Sequence, residues 1–219
     1  MTELDPAIRA QIDAIDIIPG RPLVISDADE VLFAFMEGLE RYLNSVELTF
    51  DWSSFGITGN VRDATGRALE GTEVRTHLGT FFANHTAELT PVPGAAEALG
   101  HLSERAQIVV LSNIPANGAE GRRQALRRHG MDFPLVANEG LKGPAVRLLQ
   151  QRAGAEAIFI DDIPHNHTSV AKSAVDVHRL HFVADPRLAP MLPMAEDAHH
   201  RADTWPEATP FIESRLFGD

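Results

Sequence analysis

Two aspartates that stand two positions apart, Asp27 and Asp29, are the residues of this sequence best suited to chemistry. They follow Leu23–Ser26, a mostly apolar run after a proline, which is typical of a short strand buried on both faces. Side chains two residues apart on an extended chain point to the same side. The spacing therefore predicts that both carboxylates face one site.

A pair of carboxylates of this kind has two chemical uses. Like charges so close together are costly unless a cation lies between them or one of them holds a proton. A divalent metal would keep Asp27 ionised as a nucleophile, and a partly protonated Asp29 would act as a general acid. The alternative is a strand that runs into a solvated turn, where aspartate is common.

The composition is that of a globular protein. The 219 residues are 44% hydrophobic and 23% charged, enough for a full core in one domain, with or without an insertion. The net charge of −12 argues against a nucleic-acid partner. The densest basic run, RRQALRR from Arg122 to Arg128, is spaced like the exposed face of a helix. The lack of cysteine excludes disulfides, thiolate metal sites and a cysteine nucleophile.

The amino-terminal residues lack the basic start and apolar core of a signal peptide. No stretch approaches the roughly 18 unbroken apolar residues of a membrane span. We therefore expect a cytoplasmic protein without a membrane partner. The sequence does not indicate an oligomeric state.

Helical and strand patterns alternate regularly along most of the chain. Helices are predicted at 5–18, 31–44, 95–105, 120–128, 144–152, 167–174 and 208–217, and strands at 23–26, 108–111, 133–136, 157–160 and 180–183. This alternation predicts βαβ units, and hence an α/β fold with a Rossmann-like, three-layer parallel sheet.

Residues 34–90 contain no strong strand pattern and are predicted to be a small, mostly helical unit inserted after the first strand. The core would then comprise residues 1–33 and 91–219. Candidates for substrate contact in the insertion, most of them expected to be packing or surface residues, are Trp52, Phe55, Asn60, Arg62, Arg67, Arg75 and His77.

Polar residues follow the predicted strands at the edge where an open parallel sheet binds its ligands. Besides Asp27 and Asp29 they are Ser112 and Asn113, Asp161 and Asp162, and Lys142 in the loop after the 133–136 strand. Four carboxylates require a cation, and a set of oxygen ligands favours Mg²⁺ over zinc or copper. Ser112 and Lys142 supply donors and a positive charge, which suit a phosphoryl group.

In this order the motifs resemble those of the haloacid dehalogenase superfamily of phosphohydrolases. A strand followed by DxD matches Asp27-Ala28-Asp29, and a strand ending in serine matches IVVLSN at Ser112. A lysine ahead of a helix matches Lys142 in LKGPAVRLLQ, and a strand ending in two acids matches FIDD. The resemblance covers roughly residues 20–185, and four motifs in order are specific although each alone is weak.

The resemblance implies a Mg²⁺-dependent phosphatase acting on a small phosphorylated substrate. Asp27 would attack phosphorus, Asp29 would protonate the leaving oxygen and later activate water, and Ser112, Asn113 and Lys142 would hold the phosphoryl oxygens. Mg²⁺ would be bound by the Asp27 carboxylate, the Asp29 backbone carbonyl and Asp162, with Asp161 ligating through water or orienting Lys142. Residues 34–90 fall where the family places a helical C1-type cap.

Four positions allow other interpretations. Glu30 stands where the family commonly has Gly, Thr or Ser, and we expect its side chain to point into solvent. Ser112 could cap a helix, alone or in addition to binding phosphate. His165 and His167 could be metal ligands, but exposed residues at a helix start are expected.

Rival functions remain. A receiver-type signalling domain uses similar residues, but its lysine comes last in the chain, whereas Lys142 precedes Asp161. Asp29 argues against the dehalogenase and phosphonatase branches of the family, which lack this acid. A phosphomutase or other phosphotransferase of the same superfamily, and a binding protein that keeps the fold without catalysis, are the alternatives.

Overall fold

The structure, a computed structural model, describes residues 4–218 and confirms the predicted α/β architecture. The helices are α1 (Pro6–Asp13), α2 (Phe35–Ser45), α3 (Gly71–Asn84), α4 (Ala95–Ser103), α5 (Ala116–Arg128), α6 (Gly143–Ala153), α7 (Pro164–Ser173) and α8 (Trp205–Leu216). The strands are β1 (Leu23–Ser26), β2 (Thr49–Phe50), β3 (Val61–Arg62), β4 (Gln107–Asn113), β5 (Leu135–Asn138), β6 (Ala157–Asp161), β7 (His178–Phe182) and β8 (His200–Ala202). Short 3₁₀ helices span Thr86–Glu88 and Ala189–Met191.

Six parallel strands form the central sheet in the order β5-β4-β1-β6-β7-β8. Strand β1 lies in the interior, and Leu23 is level with Gln107 of β4 and Ala157 of β6. Its side chains alternate between two apolar clusters: Val24 packs into one, and Leu23 and Ile25 pack into the other. Helices on both faces supply those clusters, so all four β1 residues are buried, as the apolar run predicts.

The predicted strands exist, and their boundaries differ from the predicted ones by at most two residues. Strand β8 (His200–Ala202) was not predicted. The strand has only three residues, HRA, and pairs along one side with β7 at the sheet edge. A short, polar edge strand of this kind has no apolar pattern to reveal it.

The segment predicted as a mostly helical insertion is helical over about half of its length. It holds α2, α3 and one 3₁₀ helix, with a two-stranded antiparallel ribbon, β2 and β3, between the two longer helices. Phe35 stacks on Phe82 and meets the edge of Phe81, within the same apolar cluster that contains Val24. The division of the chain at residues 34 and 90 stays a prediction. The ends of the predicted core, residues 1–3 and 219, lie outside the described residues.

No helix between residues 4 and 218 combines the length and apolar character that a membrane crossing requires.

Helix α5 packs against the insertion through a glycine. A Cβ atom on Gly118 would lie 2.6 Å from the Phe82 backbone oxygen and 3.1 Å from a side-chain carbon of Ile114. The Thr86 hydroxyl also donates to the Gly118 carbonyl at 3.1 Å. Any side chain at position 118 would force α5 and α3 apart, since backbone atoms at this distance have no room to yield.

We predict that Gly118→Ala lowers the free energy of unfolding by about 1–3 kcal/mol, as overpacking does. The matched control is Gly100→Ala in α4, where a Cβ would meet nothing within 4 Å. Helix propensity should raise the stability of that variant by up to about 1 kcal/mol. Urea unfolding of both variants measures the difference, and equal stabilities would contradict this account of the α3–α5 contact.

Candidate active site at the carboxyl ends of the central strands

Asp27 is the first residue beyond β1 and remains tied to the sheet. Its N–H donates to the Ile160 carbonyl of β6 at 2.8 Å, and its Oδ1 accepts from the Ala28 N–H at 2.6 Å. Asp29 lines the same cavity, which agrees with the prediction that the two side chains point to one side. Asp27 is buried and Asp29 is partly exposed, so the two carboxylates differ in their contact with water.

Lys142 lies between two of the acids. It precedes α6, its side chain is fully buried, and its Nζ lies 2.8 Å from Asp27 Oδ1 and 2.6 Å from Asp161 Oδ2. Burial lowers the pKa of Lys142, but the charges of Asp161 and Asp27 more than offset this, so its pKa lies above the ordinary value. Lys142 is therefore a permanent cation beside Asp27.

Asp161 ends β6 and Asp162 follows it. Oxygen atoms of Asp27, Asp161 and Asp162 lie within 4.8 Å of one another, and all three residues are buried. Asp161 also accepts from the Asn166 amide at 3.0 Å and the Ile163 N–H at 2.8 Å. This group of three carboxylates, all contributing oxygen, has the ligand chemistry that Mg²⁺ requires.

The charges of this group do not balance. Three ionised carboxylates and one lysine would leave two negative charges uncompensated in a buried volume. Burial raises the pKa of Asp27, which Lys142 partly offsets. Burial, and then the charge of Asp161, raises the pKa of Asp162 well above its ordinary value. A divalent cation would remove this penalty, so the residues present fit Mg²⁺.

Ser112 and Asn113 end β4, next to β1 in the sheet. The Ser112 Oγ is buried and has no hydrogen-bond partner within residues 4–218, so the alternative in which it caps α5 is wrong. Asn113 is exposed, donates to the Gly140 carbonyl at 2.9 Å and accepts from Asn138 at 2.7 Å. Asn113 thus braces the loop that leads to Lys142.

Arg122 was predicted to lie on an exposed helix face, and this prediction is wrong. Its side chain is fully buried, and its Nη2 donates to Asp29 Oδ1 at 2.5 Å. Its neighbour Arg123 is partly exposed, as expected. The available signal was that Ala119, Arg122 and Ala125 recur at three-residue steps, which places Arg122 on the apolar face of α5.

Glu30 was expected in solvent, and the structure shows it buried. Its backbone has a left-handed conformation with φ of 55°, and its carboxylate accepts from the Met36 N–H at 2.7 Å and the Asp185 N–H at 3.0 Å. The turn after β1 aims the side chain inward, where two backbone donors satisfy it. Glu30 therefore ties the acid loop to the start of α2 and to the loop after β7.

Both histidines were expected to be exposed at a helix start. His165 is exposed, but His167 is fully buried, and the prediction for His167 is therefore wrong. The Nε2 of His167 lies 2.9 Å from the Asp161 carbonyl, and the Nε2 of His181 lies 2.9 Å from the Asp162 carbonyl. The Nδ1 of His181 accepts the Ala195 N–H, so its Nε2 carries the proton and donates. These imidazoles orient the backbone beneath the two acids.

The acids open into a cavity of about 240 Å³ between the sheet edge and the insertion. Its polar wall includes Asp27, Asp29, Glu30, Asn113, Lys142, Asp162, His165 and Asn166. Ser112 and Asp161 are buried and are not part of that wall. Of the seven insertion residues predicted as candidates for substrate contact, all of them in the described part of the chain, only Phe55 lines the cavity.

Most of those seven side chains have partners elsewhere. Trp52 donates to Glu40, Arg62 pairs with Asp51, and Arg67 pairs with Asp63 and Glu73. Asn60 bonds the backbone of its own loop, and the Tyr42 hydroxyl lies 3.1 Å from His77 Nδ1. These contacts hold the insertion together.

Solved structures of haloacid dehalogenase-like proteins share this fold. A haloacid dehalogenase-like family hydrolase from Streptococcus pneumoniae is 13% identical, with a TM-score of 0.57 over 87% of this chain and 97% of that chain. CbbY from Rhodobacter sphaeroides, in complex with phosphate, is 15% identical, with a TM-score of 0.56 over 85% and 96%. YfnB from Bacillus subtilis, described as a hydrolase of the haloacid dehalogenase (HAD) type and bound to magnesium, is 12% identical. Its TM-score is 0.59 over 89% of this chain and 99% of that chain.

No family model and no curated protein matches this sequence. The structural likeness confirms that the chain has the haloacid dehalogenase fold, as the four motifs predicted.

Burial raises the pKa of Glu30 to about 7, against an ordinary value of 4.5, although the N–H groups of Met36 and Asp185 offset part of the shift. The folded protein therefore binds this proton more tightly than the unfolded chain does. We predict that Glu30 destabilises the fold progressively as pH rises from about 4.5 to about 7, by about 3 kcal/mol in all.

Glu30→Gln removes the titrating group. The difference in unfolding free energy between wild type and variant should therefore change by about 3 kcal/mol between about pH 4.5 and about pH 7. Urea unfolding in EDTA measures it without bound metal. The matched control is Glu47→Gln, because Glu47 is the other glutamate with a left-handed backbone but is exposed. A constant difference for Glu30→Gln would contradict the prediction.

Proposed function

We propose that this chain, which has the haloacid dehalogenase fold, is a Mg²⁺-dependent phosphatase that hydrolyses a small phosphorylated metabolite through an aspartyl-phosphate on Asp27. The observation that carries the proposal is the buried arrangement in which the Lys142 ammonium bridges Asp27 and Asp161, with Asp162 beside them. A lysine enclosed by acids at the ends of β1 and β6 is costly to bury for structural purposes alone. It suits a site that must hold a phosphoryl group against a carboxylate nucleophile.

In the first step, the carboxylate of Asp27 forms a bond to phosphorus while the bond from phosphorus to the ester oxygen breaks. Lys142 and the Ala28 N–H hold Asp27 Oδ1, which leaves Oδ2 as the attacking oxygen in our assignment. Asp29 donates a proton to the departing oxygen, and the alcohol leaves. The Ser112 hydroxyl, which is buried without a partner among the described residues, would donate to a phosphoryl oxygen.

In the second step, water attacks the phosphorus of the aspartyl-phosphate. Asp29 takes a proton from that water, the bond between phosphorus and Asp27 breaks, and inorganic phosphate leaves. The carboxylate of Asp27 and the proton on Asp29 are thereby restored. The net reaction consumes one phosphate ester and one water and yields one alcohol and one phosphate.

Arg122 positions Asp29 for both steps. The Nη2 of Arg122 donates to Asp29 Oδ1, so Oδ2 remains to exchange a proton with the leaving group and with water. Arg122 is fully enclosed and its Nη2 is engaged by Asp29, so we assign it a role through Asp29 and not on the substrate.

The residues that would hold Mg²⁺ are Asp27 and Asp162, with the Asp29 backbone carbonyl, while Asp161 would ligate through water or orient Lys142, whose Nζ lies 2.6 Å away. When bound, the ion would neutralise charge on the phosphoryl oxygens and on the acids. Asn166 and the Ile163 N–H keep the Asp161 carboxylate in place, and His167 and His181 hold the backbone of the pair. Such partners fix ligand orientation.

Hydrolysis is favoured over phosphomutase activity by the charges of the cavity wall. A mutase returns its phosphoryl group to a substrate that already carries one, so it must hold a second anion. Within the described residues the wall includes one lysine, Lys142, which is already paired with two acids, and one histidine, His165. Water is the acceptor that such a site accommodates. The retained acids and lysine likewise favour catalysis over a binding role.

We predict that Asp27→Asn lowers phosphate release by at least about 10⁴-fold, because the amide is a poor nucleophile. Phosphate release is measured on a panel of phosphate esters with Mg²⁺, and thermal unfolding checks that the variant folds. The control is Asp176→Asn, which alters an exposed aspartate that does not line the cavity.

Release by wild type should also cease after chelation with EDTA and return when Mg²⁺ is restored. Activity in Asp27→Asn equal to wild type would overturn the aspartyl-phosphate, and full activity after thorough chelation would overturn the metal requirement.

We also predict that Arg122→Met lowers kcat by about 10- to 100-fold with little change in KM, since a displaced Asp29 impairs proton transfer but not binding. Arg122→Lys, which keeps a cation, should recover part of the loss. Arg123→Met is the control on the exposed side of the same helix. A fall in thermal stability with unchanged kcat would show that Arg122 has only a structural role.

A further inference from the structure

Apolar side chains also line the cavity. They are Phe35, Met36, Phe55, Ile57, Ile163, Leu188 and Leu192. Four belong to the segment 34–90, two flank the 3₁₀ helix Ala189–Met191, and Ile163 follows the acid pair. Phosphate transfer needs none of these side chains. We therefore assign them to contact with the alcohol portion of the substrate.

These residues are held in position by the rest of the site. Glu30 accepts the N–H groups of Met36 and Asp185, which joins the start of α2 and the loop after β7 to the turn carrying Asp29. Phe35 is packed against Phe81 and Phe82. The part of the apolar lining formed by Phe35 and Met36 is therefore held in a fixed place relative to the acids.

The apolar side chains of the lining offer no hydrogen-bonding groups to a polar or charged alcohol. Arg187, the nearby basic residue in sequence, is engaged by Asp185 and Glu40 and lies over the Trp52 ring at 3.9 Å. It is not part of the lining, and among the described residues that line the cavity Lys142 and His165 are the basic ones. Sugar hydroxyls set against phenyl and leucyl side chains would lose their hydrogen bonds to water without replacement.

We infer that the substrate is a phosphate monoester of a small, uncharged, apolar alcohol, such as an aromatic or branched aliphatic one. Sugar phosphates and esters that carry a second anionic group are excluded by this inference. This inference rests on the proposed phosphatase function. The volume of about 240 Å³ lies near the lower end of ligand cavities, roughly 300–1,000 Å³, which agrees with a single ring or short branched chain beside the phosphate.

The experiment compares kcat/KM for benzyl phosphate, glucose 6-phosphate and 3-phosphoglycerate with Mg²⁺. All three are esters of alkyl alcohols, so the comparison reports recognition more than leaving-group reactivity. Wild type should prefer benzyl phosphate by about 10- to 100-fold over both others, the range that apolar contacts provide. Equal or higher kcat/KM for either polar ester would overturn the inference while leaving the phosphatase intact.

A matched pair of variants locates the effect. Phe55 is 53% exposed and lines the cavity, whereas Val46, in the same segment, is 40% exposed and does not. Phe55→Asn should lower the preference for benzyl phosphate by about 5- to 10-fold with glucose 6-phosphate little changed. Val46→Asn should leave the preference unaltered. An unchanged preference in Phe55→Asn would place apolar recognition elsewhere and overturn the assignment of this wall.

A binding measurement distinguishes failure of the apolar-substrate inference from failure of the proposed phosphatase function. Calorimetry with wild type and Mg²⁺ should show that benzylphosphonate, which has no ester bond to hydrolyse, binds at least about 10-fold more tightly than methylphosphonate. If no ester is hydrolysed but this difference is observed, the phosphatase proposal fails and the apolar recognition stands. If the two phosphonates bind equally, the apolar inference is overturned whether or not hydrolysis occurs.

Discussion

Burial of three carboxylates around one lysine is the constraint on which this structure depends. Asp27, Asp161 and Asp162 lie within 4.8 Å of one another with Lys142 fully enclosed between two of them. Charges removed from water cost several kcal/mol each unless partners replace the solvent. The surrounding fold must therefore supply those partners from several elements and hold them at hydrogen-bond distance.

A parallel sheet meets this requirement because neighbouring strands end at one edge. Strand β1 lies between β4 and β6, so Asp27, Ser112 and Asp161 are brought together by strand pairing alone. The histidines beneath them, His167 and His181, satisfy the carbonyls that the strand ends leave open. Burial lowers the pKa of His181 to about 4, which keeps the ring neutral and its Nε2–H available as a donor.

Glu30 and Arg122 connect this charged edge to the rest of the molecule. Arg122 reaches Asp29 from α5, and α5 is itself packed against the insertion through Gly118. Glu30 reaches the start of α2 and the loop after β7 from the opposite side. Both residues carry charge into the interior, and both are matched there by groups far away in sequence. Glu30 consequently links residues of the apolar part of the cavity to the turn that carries the acids.

The sequence by itself determined the parallel α/β fold, since the apolar strands and amphipathic helices follow periods that local geometry imposes. It also placed seven polar residues at strand ends, from Asp27 to Asp162, because the end of an apolar run is visible in the chain. The roles of those residues and the core and cap boundaries stay predictions.

Only the tertiary structure decided where Glu30 and His167 point, and which group Arg122 meets on the apolar face of α5. Each was expected in solvent, because a charged or polar side chain normally keeps its water. Each is buried because its partner, respectively Asp185, Asp29 and the Asp161 carbonyl, arrives from another element. Strand β8 was missed for a related reason, since three polar residues form a strand only where β7 offers an edge. Periodicity along a chain records which face is buried, whereas the pairing of buried polar groups depends on contacts that no local pattern contains.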